Sequence, residues 1–301
     1  MATVIAGLGR PAPACGRVAA GLGRPPPACG RVAAGLGRPP PASGRFDILA
    51  AVTGATGAPE GTERDGCPVH AEELAKTIDH TLLQPNATRH DIRRLCAQAA
   101  EFHFAAVCVL PHWVGLCSRL LVDSDVKVCT VVGFPFGADG MRSKVVAAEE
   151  AVAHGADEID VVLCLPAMLS GDFTYVRDEL TGVVRAVRMA GVNNGRGLVL
   201  VKVIVETCYL SNKLKKMACR IVEDTGADFV KTSTGLGPEG ATVHDVELLR
   251  DALSERIAVK ASGGVRTYAD VLQLINAGAA RIGTSAGDRI MQEFMIAEEE
   301  G

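Results

Sequence analysis

From about residue 77 onward, two kinds of segment alternate along the chain. Short runs rich in β-branched residues are each followed by a stretch whose apolar residues recur at helical spacing. Runs that are apolar at almost every position are typical of strands covered on both faces in a parallel sheet. The eight predicted strands are centred on residues 78–82, 106–110, 126–132, 158–162, 198–205, 229–231, 257–260 and 280–283.

The segments between these runs predict amphipathic helices. An apolar stripe over residues 173–187 predicts one helix, which we expect Gly191 to end. Ser211 is a predicted N-cap for a helix that ends at Gly226. Eight βα units in about 230 residues predict an α/β fold, a (β/α)8 TIM barrel over residues 71–301, with chemistry where the strands end.

The first 45 residues do not follow this pattern. A 14-residue unit repeats there, and the tract holds eight of the fifteen prolines. This composition predicts a disordered extension over residues 1–45 and a linker over residues 46–70. A transit peptide is the alternative, because arginine is frequent and no acid precedes Asp47, but serine is scarce.

The net charge and the cysteine content limit the classes of partner and the cellular compartment that we expect for this chain. The six arginines of residues 1–45 contribute +6 to the formal net charge of −4, so residues 46–301 carry −10. We therefore expect no nucleic-acid partner, and no apolar run approaches the ~20 residues that span a membrane. The ten cysteines include no C-x-x-C pair and several lie in apolar runs, as expected of free thiols in the cytoplasm.

Lysines end two successive predicted strands, at Lys231 and Lys260, and a third, Lys202, lies on the strand before them. A strand lysine is in general a surface residue or part of a structural ion pair. Burial, however, disfavours the protonated form of a lysine, and each neighbouring cation disfavours it further. We interpret Lys231 as an amine that attacks a carbonyl carbon to form an iminium, and Lys260 as its activator.

Carboxylates also lie on predicted strands. Asp160 is flanked by apolar residues and needs a cationic or hydrogen-bonding partner, which makes it a proton-relay candidate beside Lys260. The preceding acids, Asp157 and Glu158, are interpreted as a solvated strand entry. Asp79 is equally well a structural or a catalytic carboxylate.

Two glycine-rich segments, residues 263–267 and 283–285, precede predicted helices. Backbone amides in such turns bind phosphate, and barrels commonly bind it after strands seven and eight. Arg266 adds charge there or lies on the surface.

Neither a metal nor an organic cofactor is predicted. The seven histidines lack metal-ligand spacing, and no dinucleotide fingerprint follows the first strand. His80 and His112 line the pocket or have structural or solvated roles. Cys108 faces the pocket or lies in the core.

At Phe229-Val230-Lys231-Thr232-Ser233-Thr234-Gly235 and at residues 259–267, 155–162 and 201–207, the chain closely resembles the deoxyribose-phosphate aldolase family. The resemblance covers residues 72–296. It implies a cofactor-free Schiff-base aldolase that cleaves 2-deoxy-D-ribose 5-phosphate to D-glyceraldehyde 3-phosphate and acetaldehyde in deoxynucleoside breakdown. The small-molecule partners would be the phosphosugar and acetaldehyde, and a homo-oligomer, dimer or tetramer, is left open.

The resemblance also implies roles for individual residues. Lys231 would form the Schiff base, Lys260 would disfavour its protonation, and Asp160 would work with Lys260 and a water in proton transfer. The other implied site residues are Gly235, Gly263, Gly264, Gly283 and Ser285 for phosphate, and Asp79 and Lys202 as pocket residues, to which we add Cys108.

Two features depart from the family pattern. Leu236 stands where some members have a phosphate-binding lysine, and the chain ends Glu298-Glu299-Glu300-Gly301 where some end in a tyrosine that assists proton exchange. Phosphate binding is therefore expected to depend more on backbone amides. Two alternatives remain, another Schiff-base barrel lyase acting on a keto-acid or ketose phosphate, and a non-catalytic phosphosugar-binding barrel.

Overall fold

The structure is a computed structural model that describes residues 70–300. The predicted repeat over residues 1–45 and the predicted linker, except for His70, lie outside the described residues. The division of the chain into these segments therefore stays a prediction.

Eight parallel strands close into a barrel in which each strand pairs with its neighbours in chain order and β1 pairs with β8. The predicted (β/α)8 fold is confirmed. The strands are β1 (Ile78–Leu82), β2 (Ala106–Val109), β3 (Lys127–Val132), β4 (Glu158–Val162), β5 (Leu200–Ile204), β6 (Phe229–Lys231), β7 (Ala258–Ser262) and β8 (Arg281–Thr284).

Helices alternate with the strands along the chain. They are α1 (Ala71–Ala75), α2 (Arg89–Phe102), α3 (Val114–Leu120), α4 (Met141–Ala153), α5 (Leu165–Ser170), α6 (Phe173–Asn193), α7 (Asn212–Thr225), α8 (Val243–Ala252), α9 (Tyr268–Asn276) and α10 (Gly287–Glu300), with single 3-10 turns at Pro111–Trp113 and Thr207–Tyr209. No helix in this part of the chain has the length and hydropathy needed to cross a bilayer.

The main apolar core lies between the strands and the helices, because alternate strand residues point outward. In β4, Ile159 and Val161 belong to this core, whereas Glu158 and Asp160 are buried on the other face of the strand. A second, smaller apolar cluster contains Ala106 and Cys108 of β2 with two residues of β3. The inward positions of the remaining strands are therefore free to carry charged side chains.

The expected end of α6 at Gly191 is wrong. The helix continues to Asn193, and Gly191 is buried within it. A Cβ at Gly191 would lie 2.5 Å from the carbonyl oxygen of Gly197, so glycine is needed there for close packing and not to end the helix. The predicted ends of α7 are confirmed, since the Ser211 side chain accepts a hydrogen bond from Leu214 N and Gly226 has a φ of +75°.

Glycine-to-alanine substitutions in α6 test this explanation. Gly191→Ala should destabilise the fold by about 1–3 kcal/mol despite the better helix propensity of alanine, because the new Cβ overlaps a carbonyl oxygen. Gly182→Ala is the matched control, since its Cβ would lie an ordinary 3.6 Å from Val145 Cγ2. We expect the control to be neutral or stabilising by up to about 1 kcal/mol in urea unfolding. Equal effects at the two positions would contradict the packing role of Gly191.

His80 of β1 is buried outside the barrel lumen, between the sheet and two helices. Its Nε2 lies 3.2 Å from Gln98 Oε1, and Gln98 donates to Asp288 of α10 at 2.8 Å. The ring also packs against Phe104. Burial lowers the pKa of His80 and outweighs the opposing effects of Gln98 and Asp288, so the ring folds in its neutral form.

The neutral burial of His80 predicts a pH dependence of stability. Since the folded-state pKa lies below the ordinary 6.5, the unfolded chain binds a proton first as the pH falls, and stability is lost below about pH 6.5. The slope from this group is at most about 1.4 kcal/mol per pH unit. Urea unfolding between pH 7.5 and 5.5 should show a shallower slope for His80→Gln than for the wild type, with exposed His112→Gln unchanged. Parallel slopes for all three proteins would show that His80 does not cause this pH dependence.

Candidate active site

The barrel brings the three predicted lysines together in its lumen. In the strand register Asp160 of β4 lies opposite Lys202 of β5, and Lys231 of β6 lies opposite Lys260 of β7. All four side chains are almost completely buried. Because charged groups are stable in a dry interior only when they are paired, their mutual contacts decide what each can do.

Asp160 lies at the centre of this group. Its Oδ2 is 2.8 Å from Nζ of Lys231 and 2.8 Å from Nζ of Lys260, and its Oδ1 is 2.9 Å from Nζ of Lys202. Burial alone would raise the pKa of Asp160, but the three amines outweigh it and hold the pKa well below its usual range. Asp160 is therefore an ionised carboxylate that contacts all three amines, and its predicted role in proton transfer stays a prediction.

Lys260 has a second carboxylate partner, because its Nζ also donates to Asp79 Oδ2. Burial opposes the charge on Lys260, yet Asp160 and Asp79 together raise its pKa above the ordinary value. Asp79 is likewise fully buried, and despite burial Arg281, Lys260 and Lys202 lower its pKa. Lys260 is thus held as a cation beside Lys231, as its predicted role requires.

Lys231 differs from the other basic groups of the lumen. Among the described residues its Nζ contacts one carboxylate, Asp160, whereas Lys202 and Lys260 each contact two or more. Its side chain is 3% exposed, while those of Lys202 and Lys260 are 0% exposed. Lys231 is therefore the amine with the weakest electrostatic hold and the only one of the three with a solvent-accessible edge.

Sequence reasoning missed part of this network. Glu158, interpreted as a solvated strand entry, is instead 2% exposed and lies 2.5 Å from Nζ of Lys202. That interpretation was wrong because residue 158 shares the inward face of β4 with Asp160, two positions along the strand. The period-two spacing of Glu158 and Asp160 was the signal that could have revealed it.

Arg281 at the start of β8 was also missed. Its Nη1 donates to Asp79 Oδ1 at 2.6 Å and lies 3.4 Å from Glu158, while the guanidinium packs over the Phe229 ring at 5.7 Å. A lone arginine at a strand start gives no sequence signal of burial. Asp79 is consequently held between Arg281 and Lys260, which fixes its orientation.

The charges of the network do not balance when every group is ionised. Four basic side chains, Lys202, Lys231, Lys260 and Arg281, face three acidic ones, Asp79, Glu158 and Asp160. A buried excess of positive charge is unfavourable, and Lys231 is the lysine of this network with the fewest carboxylate partners.

Three of the glycines predicted to bind phosphate lie in loops that follow adjacent strands. Gly235 follows β6, Gly263 and Gly264 follow β7, and all three have left-handed φ angles between +81° and +89°. A Cβ at Gly235 would lie 3.7 Å from the Gly263 Cα, so the two loops touch. Left-handed turns at adjacent strand ends present backbone amides to an anion, which fits the predicted site.

The other predicted phosphate groups are placed differently. Gly283 is buried within β8, where a Cβ would lie 3.2 Å from the Lys260 Cε, so this glycine leaves room for the lysine stem. Ser285 is exposed in the loop after β8, and Arg266 is exposed in the loop after β7. Leu236 is 62% exposed beside Gly235. Binding of phosphate by these residues stays a prediction.

Two buried hydroxyls were not predicted. Thr207 Oγ1, after β5, and Ser233 Oγ, after β6, have no hydrogen-bond partner among residues 70–300. Buried hydroxyls are rarely left unpaired in proteins, so these two are candidates for contact with a substrate hydroxyl. No sequence pattern distinguishes them from other strand-end hydroxyls.

Cys108 is buried beside the catalytic candidates. Its thiol, the Cys129 thiol and an Asp160 oxygen lie within 4.8 Å of one another, and Cys129 donates to Asp160 Oδ1 at 3.2 Å. This set and the set Asp79, Cys129 and Glu158 are the two described clusters with metal-ligand spacing. The Lys202 amine already lies against Asp160 and Cys129, so a cation would compete with it for the same atoms.

Of the two candidate histidines, His80 faces the helices and His112 is exposed.

Comparisons with known proteins agree with this geometry. The sequence profile described as "DeoC/LacD family aldolase" matches residues 74–293. The chain is 53% identical over 221 residues to the deoxyribose-phosphate aldolase of Caldanaerobacter subterraneus subsp. tengcongensis. The aligned region covers 73% of this chain and 93% of that protein.

Solved structures give the same result. A structure titled "QR15, an Aldolase" matches with a TM-score of 0.69 and 39% identity, over 75% of this chain and 98% of the other. The deoxyribose phosphate aldolase of Aeropyrum pernix, described as having a unique tetrameric structure, matches with a TM-score of 0.69 and 34% identity, over 75% and 92%. With a buried lysine cluster in the lumen of an eight-stranded barrel and a family profile that spans this barrel, the chain belongs to the DeoC/LacD aldolase family.

Proposed function

We propose that the protein is a deoxyribose-phosphate aldolase that reversibly cleaves 2-deoxy-D-ribose 5-phosphate to D-glyceraldehyde 3-phosphate and acetaldehyde. The observation that carries this proposal is the shared contact of Lys231 and Lys260 with one oxygen of Asp160. That arrangement supplies an amine nucleophile, a fixed cation and a proton carrier in one place. Family relatives named deoxyribose-phosphate aldolase support the choice of substrate.

The first step is formation of a Schiff base on Lys231. The uncharged amine attacks the aldehyde carbon, C1, and the resulting carbinolamine loses water to give a protonated imine. Loss of the water requires a proton at the departing hydroxyl. We assign the supply of that proton to Asp160 and Lys260, acting through a water, and the 2.8 Å contacts of Asp160 with Lys231 and Lys260 support this assignment.

The second step breaks the bond between C2 and C3. The C3 hydroxyl gives its proton through the water to Asp160 and Lys260, its oxygen becomes the aldehyde oxygen of glyceraldehyde 3-phosphate, and the electrons of the C2–C3 bond move into the imine to form an enamine. Protonation of the enamine at C2 and addition of water then release acetaldehyde and restore the amine. Before the sugar binds, Lys260 is cationic, which disfavours a second positive charge on the free Lys231 amine next to it.

The phosphate would bind at the mouth of the barrel, in the loops after β6, β7 and β8. Gly235, Gly263 and Gly264 have the backbone conformation for amide donation, and Ser285 and Arg266 lie at the neighbouring loop ends. With Leu236 in place of a lysine, affinity would depend on these amides. Binding the phosphate there places the opposite end of the sugar, with its aldehyde, toward the lumen.

Two wider features belong to the same proposal. We propose a reducing compartment, the cytoplasm, because all seven described cysteines are free thiols and six are buried. A homo-oligomer is proposed on the likeness to the Aeropyrum pernix protein, whose title calls it tetrameric. Involvement in deoxynucleoside breakdown follows from the proposed substrate.

Trapping with borohydride tests the nucleophile. Incubation with acetaldehyde and sodium borohydride should leave an ethyl group on Lys231 and abolish the release of glyceraldehyde 3-phosphate, because reduction makes the carbon–nitrogen bond permanent. Peptide mass mapping locates the group. An ethyl group on Lys202 or Lys260, with Lys231 unmodified, would overturn the assignment, and a ketose-phosphate or keto-acid lyase would not accept acetaldehyde as donor.

Replacement of Lys260 tests the electrostatic part of the mechanism. Lys260→Leu should lower kcat at least about 100-fold, because it removes both the fixed cation and a proton-transfer partner of Asp160. Steady-state assays coupled to glyceraldehyde 3-phosphate release measure this loss per folded molecule.

A buried lysine outside the barrel lumen provides the control. Lys215 of α7 is buried and lies 2.5 Å from Asp245 of α8. Lys215→Leu leaves the Asp245 carboxylate buried without its cation, as Lys260→Leu does for its own partners, and should destabilise the protein by about 3–5 kcal/mol. The kcat of the folded fraction should nevertheless stay within about twofold of the wild type. A Lys260→Leu variant with near-normal kcat would remove Lys260 from the mechanism.

A further inference from the structure

Glu206 has a backbone conformation that its side chain does not favour. It follows β5 with φ 51° and ψ 71°, the left-handed region, and it is one of two described residues other than glycine with a positive φ. Such a conformation is unfavourable by about 1–3 kcal/mol and persists where the surrounding structure requires it. The residue lies one strand away from Lys231, at the same end of the barrel.

The Glu206 carboxylate is buried and has no basic partner among residues 70–300. Its residue exposure is 2%, and none of the salt bridges in that part of the chain includes it. Its Oε2 accepts a hydrogen bond from Thr234 N at 3.1 Å, and its Oε1 has a long contact of 3.8 Å from the Cys208 thiol. A buried carboxylate without a cation is unfavourable unless hydrogen bonds compensate it, and among residues 70–300 the Thr234 amide is the N–H donor that the structure gives Glu206.

The surrounding backbone explains how the carboxylate reaches that amide. Val205 N donates to the Lys231 carbonyl at 3.0 Å, and Thr207 N donates to the Thr232 carbonyl at 2.9 Å. Glu206 therefore stands between two main-chain hydrogen bonds that join the end of β5 to the end of β6. Its left-handed turn places the side chain beneath the loop that follows Lys231.

That loop contains the first glycine of the proposed phosphate site. Thr234 N is held by Glu206, Thr234 Oγ1 accepts from Leu236 N at 3.1 Å, and Gly235 between them has its left-handed φ of +84°. A Cβ at Gly237 would lie 3.1 Å from Glu206 Oε1, so the loop closes directly over the carboxylate. The carboxylate thus holds the residue before Gly235 directly, and the Thr234 hydroxyl holds the residue after it.

We propose that Glu206 is a positioning residue for recognition of the 5-phosphate: by holding Thr234 N it keeps the turn at Gly235 in its anion-binding conformation. The inference rests on the proposed function for the identity of the ligand. It assigns Glu206 no contact with the reacting carbons and no proton transfer. Its loss should weaken binding of a phosphorylated substrate and leave the Schiff-base chemistry intact.

Three variants of the full chain test the proposal. Glu206→Leu removes the acceptor for Thr234 N, whereas Glu206→Gln keeps an acceptor oxygen at the same distance along the side chain. Glu239→Leu, an exposed acid on the same loop, is the matched control. Each is assayed with 2-deoxyribose 5-phosphate and with phosphate-free 2-deoxyribose, and amide hydrogen exchange is followed in the peptide containing Thr234 and Gly235.

For Glu206→Leu we expect KM for the phosphorylated substrate to rise about 10-fold, with kcat unchanged within about twofold. The kcat/KM for 2-deoxyribose should also stay within about twofold, and exchange at Thr234–Gly235 should accelerate. Glu206→Gln and Glu239→Leu should remain within about threefold of the wild type in every measurement. The inference is overturned by an unchanged KM in Glu206→Leu, by equal losses with both substrates, or by a Glu206→Gln variant as impaired as Glu206→Leu.

A second substitution keeps the test decisive if Glu206→Leu fails to fold. Gly237→Ala would place a methyl carbon 3.1 Å from Oε1 and 3.2 Å from the Cys208 sulfur, which should displace the carboxylate and give the same selective rise in KM. A Gly237→Ala variant with normal KM and normal exchange would refute the role of Glu206. If the wild type cleaves neither sugar, the proposed function fails separately from this inference. Calorimetry with inorganic phosphate then tests the anion site directly. We expect the wild type and Glu206→Gln to bind phosphate more tightly than Glu206→Leu and Gly237→Ala, and equal affinities would show that Glu206 does not position the site.

Discussion

The structure depends on one carboxylate, Asp160, that is buried among three amines. Removal of Asp160 would leave three buried amines without the carboxylate that they share, which is strongly unfavourable. Asp160 ties Lys231 to Lys260, and Asp79 with Arg281 fixes Lys260 from the other side. This chain of contacts is what makes Lys231 chemically different from its neighbours, because it alone lies at the end of the chain, with one carboxylate.

The barrel makes such a network possible through the alternation of its strands. Outward residues such as Val161 and Val203 pack against the helices and form the main apolar core. The inward residues therefore do not have to be apolar for the barrel to fold. Parallel strands in chain order bring inward residues of β4 to β8 within contact distance although they are up to about 120 residues apart in sequence, as in the pair Glu158 and Arg281. Loops at the same end then add glycine turns beside the reactive amine, and Glu206 connects two of those loops.

Much of this could be predicted from the chain itself, for identifiable reasons. The eight strands were visible because β-branched runs recur between amphipathic stretches, and Ser211 and Gly226 marked helix ends by their own conformational preferences. Lys231, Lys260 and Asp160 stood out because charge is unusual in apolar runs. Gly191 was misjudged, since a glycine that ends a helix and a glycine that admits a neighbouring carbonyl look the same in sequence. Glu158 was misjudged because its period-two spacing from Asp160, which places both on the inward face of β4, was not used, and its partners Lys202 and Arg281 lie on other strands.

The sequence by itself therefore determined the barrel, its helices and the presence of several charged residues that need burial partners, because these follow from local periodicity and from the free energy of burying charge. Only the tertiary structure decided the pairings. It showed that Lys260 shares two carboxylates while Lys231 has one, and that Gly283 leaves room for a lysine stem. It also showed that Glu206 reaches across to Thr234. Such facts depend on distances between strands, which no local pattern of residues specifies.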